Sequence, residues 1–244
     1  MGDDPIREEV EREWVVERDG WAGDRVARVT ARLQRDVPVD ERLETLVIWI
    51  DEQTAFTAPG RTIYISRRLL ERFASDDAAA FVVAHELAHH RLGHIPRPTT
   101  LLRLPIDVAI ALIRKRIATP ARERDADLLA IELCLEAGYD AARCISALDH
   151  LDRIALDYGD VDGALGADPS LPAWLTRRTH PPSRERIAAV RAHADAWRRG
   201  HSLATELAAR DRERRARRKR VLAAAGAAAL AVGLIALRRR LPSV

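Results

Sequence analysis

The stretch that decides the fold is Phe81-Val-Val-Ala-His-Glu-Leu-Ala-His-His-Arg-Leu-Gly-His94. With the apolar residues 78–84 leading into it, this stretch predicts a buried helix. Side chains at positions i and i+4 share one face of a helix, so the imidazoles of His85 and His89 can bind one metal ion. Zinc accepts neutral imidazole nitrogens, and a catalytic zinc site uses three protein ligands and a water molecule. Glu86 directly follows the first histidine and is therefore a candidate general base for that water.

A third zinc ligand has to come from outside this helix, because His85 and His89 already occupy its metal-facing side. Residues 120–138 predict a second helix, on which Glu123 and Asp127 lie one turn apart and can both face the histidines. One carboxylate can bind zinc while the other accepts the Nδ1–H of a ligating histidine. The spacing leaves open which carboxylate does which. The alternative is an acidic first turn that the helix dipole favours, with no metal involved.

The remaining pattern predicts an α+β fold that is mainly helical and contains a small sheet. Apolar residues at helical spacing predict one or two amphipathic helices in residues 5–35. Residues 45–50 and 61–66 predict two strands that pair as a hairpin or meander. Further helices are expected over residues 141–155 and from residue 183 onward. Apolar residues 101–113 are too short to span a bilayer and predict either a core helix or an interfacial one.

The C-terminal end of the chain has a different composition. Residues 221–237 carry no charge and would span about 25 Å as a helix, close to the lower limit for crossing a bilayer. A basic run over residues 210–220 precedes this segment, and Arg238-Arg239-Arg240 follows it. The positive-inside rule then predicts a single C-terminal transmembrane helix that contacts membrane lipid, with the catalytic domain in the cytoplasm. The alternative is a soluble alanine-rich helix.

Charge and cysteine content bear on nucleic-acid binding and on the state of the two cysteines. The net charge is only +3, and the arginine run lacks the interleaved aromatic residues of a nucleic-acid interface, so no nucleic acid is expected. Cys134 and Cys144 form no C-x-x-C motif and are expected to be buried thiols. The charged N-terminus has no apolar signal segment.

We expect four segments: an amphipathic helical segment (1–36), a zinc domain (37–200), a basic helix (201–220) and the transmembrane helix (221–237).

Four ordered motifs together indicate a family. These are H-E-L-A-H at residues 85–89, E-R-D-A-D at 123–127, T-A-F-T-A-P-G-R-T-I-Y-I at 54–65, and T-H-P-P-S-R-E-R-I at 179–187. Over roughly residues 42–190 the chain resembles the HtpX-like and CAAX-prenyl-protease-like zinc endopeptidases, which are gluzincins. The resemblance implies a zincin-like metallopeptidase domain that binds one Zn²⁺ and acts on protein or peptide substrates. It also implies that an extended substrate adds as a strand beside residues 61–66.

The resemblance assigns roles residue by residue. His85, His89 and Glu123 are implied as zinc ligands, Glu86 as the general base and Asp127 as the carboxylate behind the ligands. His180 matches a histidine that approaches zinc or the oxyanion. Three departures from the family pattern are Thr54 for Asn, Arg61 for Gly, and Pro120 where an Arg usually precedes the ligand glutamate. The last departure predicts that a supporting ion pair is missing.

Two other histidines near the motif receive weaker interpretations. His90 is expected to be polar surface, because it is one residue past a presumed ligand and faces away from the metal. His94 either contacts the groups behind the site or caps the helix end.

The sequence therefore predicts a zinc-dependent metalloendopeptidase that hydrolyses peptide bonds at or near a membrane. The alternative is a non-proteolytic zinc-containing scaffold or regulator of the same fold.

Overall fold

The structure is a computed structural model, which describes residues 5–95, 119–157 and 183–210 together with residues 212, 213 and 216. The chain divides into two compact units, Met1–Gly200 and His201–Val244. In the second unit the described residues 203–210 are helical. All strands and the long helices belong to the first unit. Its helices are α1 (Pro5–Glu13), α2 (Trp21–Leu33), α3 (Arg67–Leu70), α4 (Asp76–Arg91), α5 (Pro120–Glu136), α6 (Ala141–Asp157) and α7 (Ser183–Arg198).

The sheet has four strands: β1 (Val15–Glu17), β2 (Glu44–Trp49), β3 (Ala55–Thr57) and β4 (Thr62–Ser66), in the order β1-β2-β4-β3. Strand β1 is antiparallel to β2, and β3 is antiparallel to β4. The architecture is thus α+β, mostly helical, with a small mixed sheet, as the sequence predicts.

The two longer strands pair with each other as predicted, but the antiparallel orientation expected of a hairpin is wrong. β2 and β4 are parallel, with Glu44 opposite Thr62 and Ile48 opposite Ser66. The reason is the short strand β3, which the sequence analysis missed: the chain reverses before β3 and again at the turn containing Gly60. Two reversals return β4 to the direction of β2. The inner position of β2 agrees with its uninterrupted buried run Leu46-Val47-Ile48.

Each face of the sheet packs against helices. On one face α1 contributes Ile6 and Val10 to a small core that includes Phe56 and Tyr64 of the sheet. The other face packs against α2 and α4 in the main core, to which α5, α6 and α7 also contribute. Strand β1 lies between α1 and α2, where helical spacing alone predicted no strand.

Helix α4 runs through the middle of the main core. All of its residues 78–89 are buried. The side chain of Ser75 accepts a hydrogen bond from the Ala78 N–H and caps the N-terminus. At the other end Gly93 has φ +66°, and the His94 N–H donates to the His89 carbonyl over 2.9 Å. The cap and the terminal turn fix the two ends of the helix, and the core around residues 78–89 holds its polar side chains in place.

In the described part of the chain, no helix is both long enough and apolar enough to cross a membrane. The predicted transmembrane helix (221–237) and the apolar residues 101–113 both lie outside the described residues.

Candidate metal centre

Helices α4 and α5 bring three predicted ligands together. Nε2 of His89 lies 3.1 Å from Nε2 of His85 and 3.4 Å from Oε1 of Glu123. Nε2 of His85 lies 3.5 Å from Oε2 of Glu123. In the described residues these three side chains form the one group able to hold a metal ion, with their ligand atoms within 4.8 Å of one another.

The spacing of these atoms fits zinc. Ligand atoms bound at about 2.0–2.1 Å in a tetrahedral arrangement lie about 3.3–3.4 Å apart. The observed separations of 3.1, 3.4 and 3.5 Å match this value closely. Two imidazoles and one carboxylate are also a donor set that catalytic zinc sites use. The three residues are therefore placed where they could hold a zinc ion, with Oε1 of Glu123 nearer His89 and Oε2 nearer His85.

The geometry separates the two carboxylates that the sequence left open. Oδ1 of Asp127 lies 3.0 Å from Nδ1 of His85, on the side of the ring away from Glu123. Burial raises the pKa of Asp127, but hydrogen bonds from Arg186 and His85 outweigh this effect and hold the pKa below its ordinary value. Asp127 is therefore a charged acceptor behind His85, and Glu123 faces Nε2 of both histidines.

His85 is placed between the two acids. Burial lowers its pKa, but hydrogen bonds and charge from Asp127 and Glu123 outweigh burial and raise the pKa to about 10. An imidazole must be neutral at the binding nitrogen to ligate zinc, so a metal ion bound here would displace a proton. The excess negative charge that favours this proton favours a divalent cation in the same place.

Arg186, at the start of α7, supplies an ion pair that the sequence analysis did not assign. Its Nε and Nη2 atoms donate to both carboxylate oxygens of Asp127, each over 2.7 Å. Nη2 also lies 3.8 Å from Oε2 of Glu123. The expectation that a supporting ion pair is missing, drawn from Pro120, is wrong because α7 provides the arginine instead of α5. The only sequence signal was the arginine within the motif at 179–187.

The two neighbouring histidines have different surroundings. Nδ1 of His94 lies 2.9 Å from Nδ1 of His89. Burial, His89 and Arg122 lower the pKa of His94 to about 4. The reading of His90 as polar surface is wrong, since its ring is partly buried and forms a hydrogen bond with the backbone of Ala58. Burial is also the main reason that the pKa of His90 falls to about 4.

The structure places one of the two predicted catalytic residues, Glu86, among the described residues. Glu86 lies on α4 beside His85 and is only 9% exposed. His180 lies outside the described residues. The strand assigned to substrate addition is also corrected: β4 is an inner strand, paired on both sides, and β3 is the edge strand next to it.

Two family models match the sequence. Peptidase family M48 matches residues 21–116, which include α4 with His85, Glu86 and His89. Peptidase U49 matches residues 74–208, more than half of the chain, and this range covers α4, α5 and α7 together. No curated protein matches the sequence.

Proposed function

Because the chain belongs to the HtpX-like peptidases of family M48, a membership that the longer Peptidase U49 match also supports, we propose that it is a zinc-dependent metalloendopeptidase. The observation that carries the proposal is the cluster of His85, His89 and Glu123, whose ligand atoms all lie within 4.8 Å of one another. The substrate would be a protein or peptide, and one Zn²⁺ would bind per chain.

The chain's own residues have distinct parts in this proposal. When bound, zinc supplies a Lewis acid that polarises the scissile carbonyl and lowers the pKa of water. Glu86 takes the proton from the attacking water and passes it to the leaving amine. Asp127, charged and held by Arg186, fixes the His85 ring with Nε2 towards the metal. His180 is proposed to hydrogen-bond the developing oxyanion.

We propose that substrate binds along β3. Of the two outer strands of the described sheet, β1 and β3, it is β3 that packs near α4, which carries the histidines. An extended peptide can add beside an edge strand through backbone hydrogen bonds. This addition would lay the scissile bond across the metal centre.

A first test is metal dependence. Removing the metal with a chelator should abolish cleavage of casein, and added Zn²⁺ should restore it. Glu123→Gln removes the charged ligand and should lower the zinc content well below one equivalent per chain. Asp125→Asn, two residues further along the same helix, is the matched control and should retain zinc. Full zinc content in Glu123→Gln would contradict the assigned ligand set.

We also propose that residues 221–237 anchor the chain to a membrane, with the catalytic domain on the cytoplasmic side. The support is the uncharged sequence itself with basic residues at both ends. The full chain should remain with membranes after an alkaline carbonate wash, and a chain ending at residue 216 should not. Release of the full chain by the wash would contradict the anchor.

A further inference from the structure

The side chain of His94 returns to the metal centre from the end of α4. Gly93 adopts φ +66°, a conformation that ends the helix and is easily reached by glycine. The turn is closed by the hydrogen bond from the His94 N–H to the His89 carbonyl. The two imidazole rings are thereby brought to 5.1 Å between centroids, with their planes inclined at 58°.

The contact between these rings has a defined direction. Their Nδ1 atoms are 2.9 Å apart, so one of them carries a hydrogen and the other accepts it. Nε2 of His89 faces His85 and Glu123 and is the nitrogen available to the metal. A neutral imidazole that binds through Nε2 carries its hydrogen on Nδ1. Nδ1 of His89 is therefore the donor, and Nδ1 of His94 is the acceptor.

We propose that His94 is a positioning residue that holds the His89 ring for metal binding, as Asp127 holds the His85 ring. The inference rests on the proposed zinc site. The two supports differ in chemistry, because Asp127 is a carboxylate anchored by Arg186 whereas His94 is an imidazole just beyond the end of the helix that carries His89. Removing an acceptor behind a ligating histidine typically costs about 10–100-fold in metal affinity.

Three substitutions of His94 distinguish the effect of losing the hydrogen-bond acceptor from the effect of losing side-chain volume. His94→Ala removes the acceptor, and its zinc dissociation constant should rise by about 10–100-fold. In His94→Asn the amide oxygen occupies roughly the place of Nδ1, so zinc affinity should stay close to that of the unsubstituted chain. In His94→Gln the amide lies one methylene further out, near the place of Nε2, and affinity should fall towards that of His94→Ala.

The test uses the full chain loaded with zinc and titrated with a competing chelator of known affinity, which gives the zinc dissociation constant directly. His90→Ala is the matched control, because it removes a partly buried imidazole from the same helix that bonds to the Ala58 backbone instead. Its zinc affinity should be unchanged. Thermal unfolding in excess chelator gives the stability of each metal-free variant.

The outcomes divide clearly. Weak binding by His94→Ala and His94→Gln, with recovery in His94→Asn and similar metal-free stabilities, supports the proposal. Equal affinity in His94→Ala and the unsubstituted chain overturns it, as does failure of His94→Asn to recover affinity. A loss of metal-free stability large enough to explain the weaker binding assigns His94 a purely structural part and also overturns it. Absence of zinc from the unsubstituted chain overturns the proposed function as well, which distinguishes the two failures.

Discussion

Glu86→Gln should reduce peptide-bond cleavage by about 10²–10⁴-fold, the usual contribution of a general base, while zinc stays bound. Glutamine has nearly the same shape as glutamate but cannot take the proton from the attacking water. Glu86 is not among the three residues whose ligand atoms cluster, so the site should still hold its metal. The measurement is cleavage of casein by purified protein, with zinc content determined for each sample.

The matched control is Glu136→Gln, which makes the same substitution at an exposed position at the far end of α5. Its activity and its zinc content should both be unchanged. Full activity in Glu86→Gln would rule out Glu86 as the base. If the unsubstituted chain and Glu86→Gln both bind zinc but neither cleaves casein, the non-proteolytic scaffold would be favoured. If neither the unsubstituted chain nor Glu86→Gln binds zinc, the metal site itself would be excluded.

Arg186→Ala should lower the free energy of unfolding by about 3–5 kcal/mol, the usual cost of removing one partner of a buried ion pair. The side chains of Arg186 and Asp127 are only 10% and 2% exposed. Without the guanidinium, the Asp127 carboxylate is left in the interior with His85 as its remaining charged neighbour. Equilibrium unfolding in urea, with zinc removed by a chelator, measures this loss apart from any change in metal binding.

Two further variants show whether the lost ion pair with Asp127 causes the lower stability of Arg186→Ala. Arg28→Ala breaks an ion pair with Asp76 in which the arginine is 62% exposed, and it should cost at most about 1 kcal/mol. Adding Asp127→Asn to Arg186→Ala should recover part of the lost stability, because the unpaired charge is removed. If the double variant is less stable than Arg186→Ala alone, the loss does not come from the unpaired carboxylate.

The same ion pair predicts a pH dependence. The pKa of Asp127 in the folded chain lies below its ordinary value, chiefly because Arg186 and His85 outweigh the effect of burial. A depressed carboxyl pKa contributes stability that is complete above the unfolded value of about 4 and is lost as the pH falls through the folded value. The stability difference between the unsubstituted chain and Arg186→Ala should therefore be largest near neutral pH and should narrow below about pH 4. A constant difference would contradict this assignment.

Short-range spacing was sufficient for the helices that carry the site. His85 and His89 share a face of α4 because four residues make about one turn, and the same rule places Glu123 and Asp127 on one side of α5. The buried apolar lead-in and the Ser75 cap are equally local. Such features depend on neighbours within a few residues, so the sequence states them directly.

Pairing between distant segments was not accessible in the same way. The hairpin prediction for β2 and β4 failed because β3 is only three residues long and carries no alternation that distinguishes it from a loop. The same short strand β3 forms the edge of the sheet, which the sequence analysis had placed at residues 61–66, the segment that contains β4. His90 was misjudged because the backbone that covers it, at Ala58, is more than thirty residues away in the chain.

The sequence by itself therefore determined which histidines and carboxylates share a helical face, and it determined the α+β class, because these follow from the 3.6-residue period and from the apolar pattern. The tertiary structure decided that Glu123 is the acid that faces Nε2 of both histidines and that Arg186 reaches across from α7 to hold Asp127. It also decided that His94 turns back onto His89. The physical reason is that each of these contacts is fixed by packing or chain reversal beyond a helical turn. Periodicity along a single helix carries no information about where another element lies.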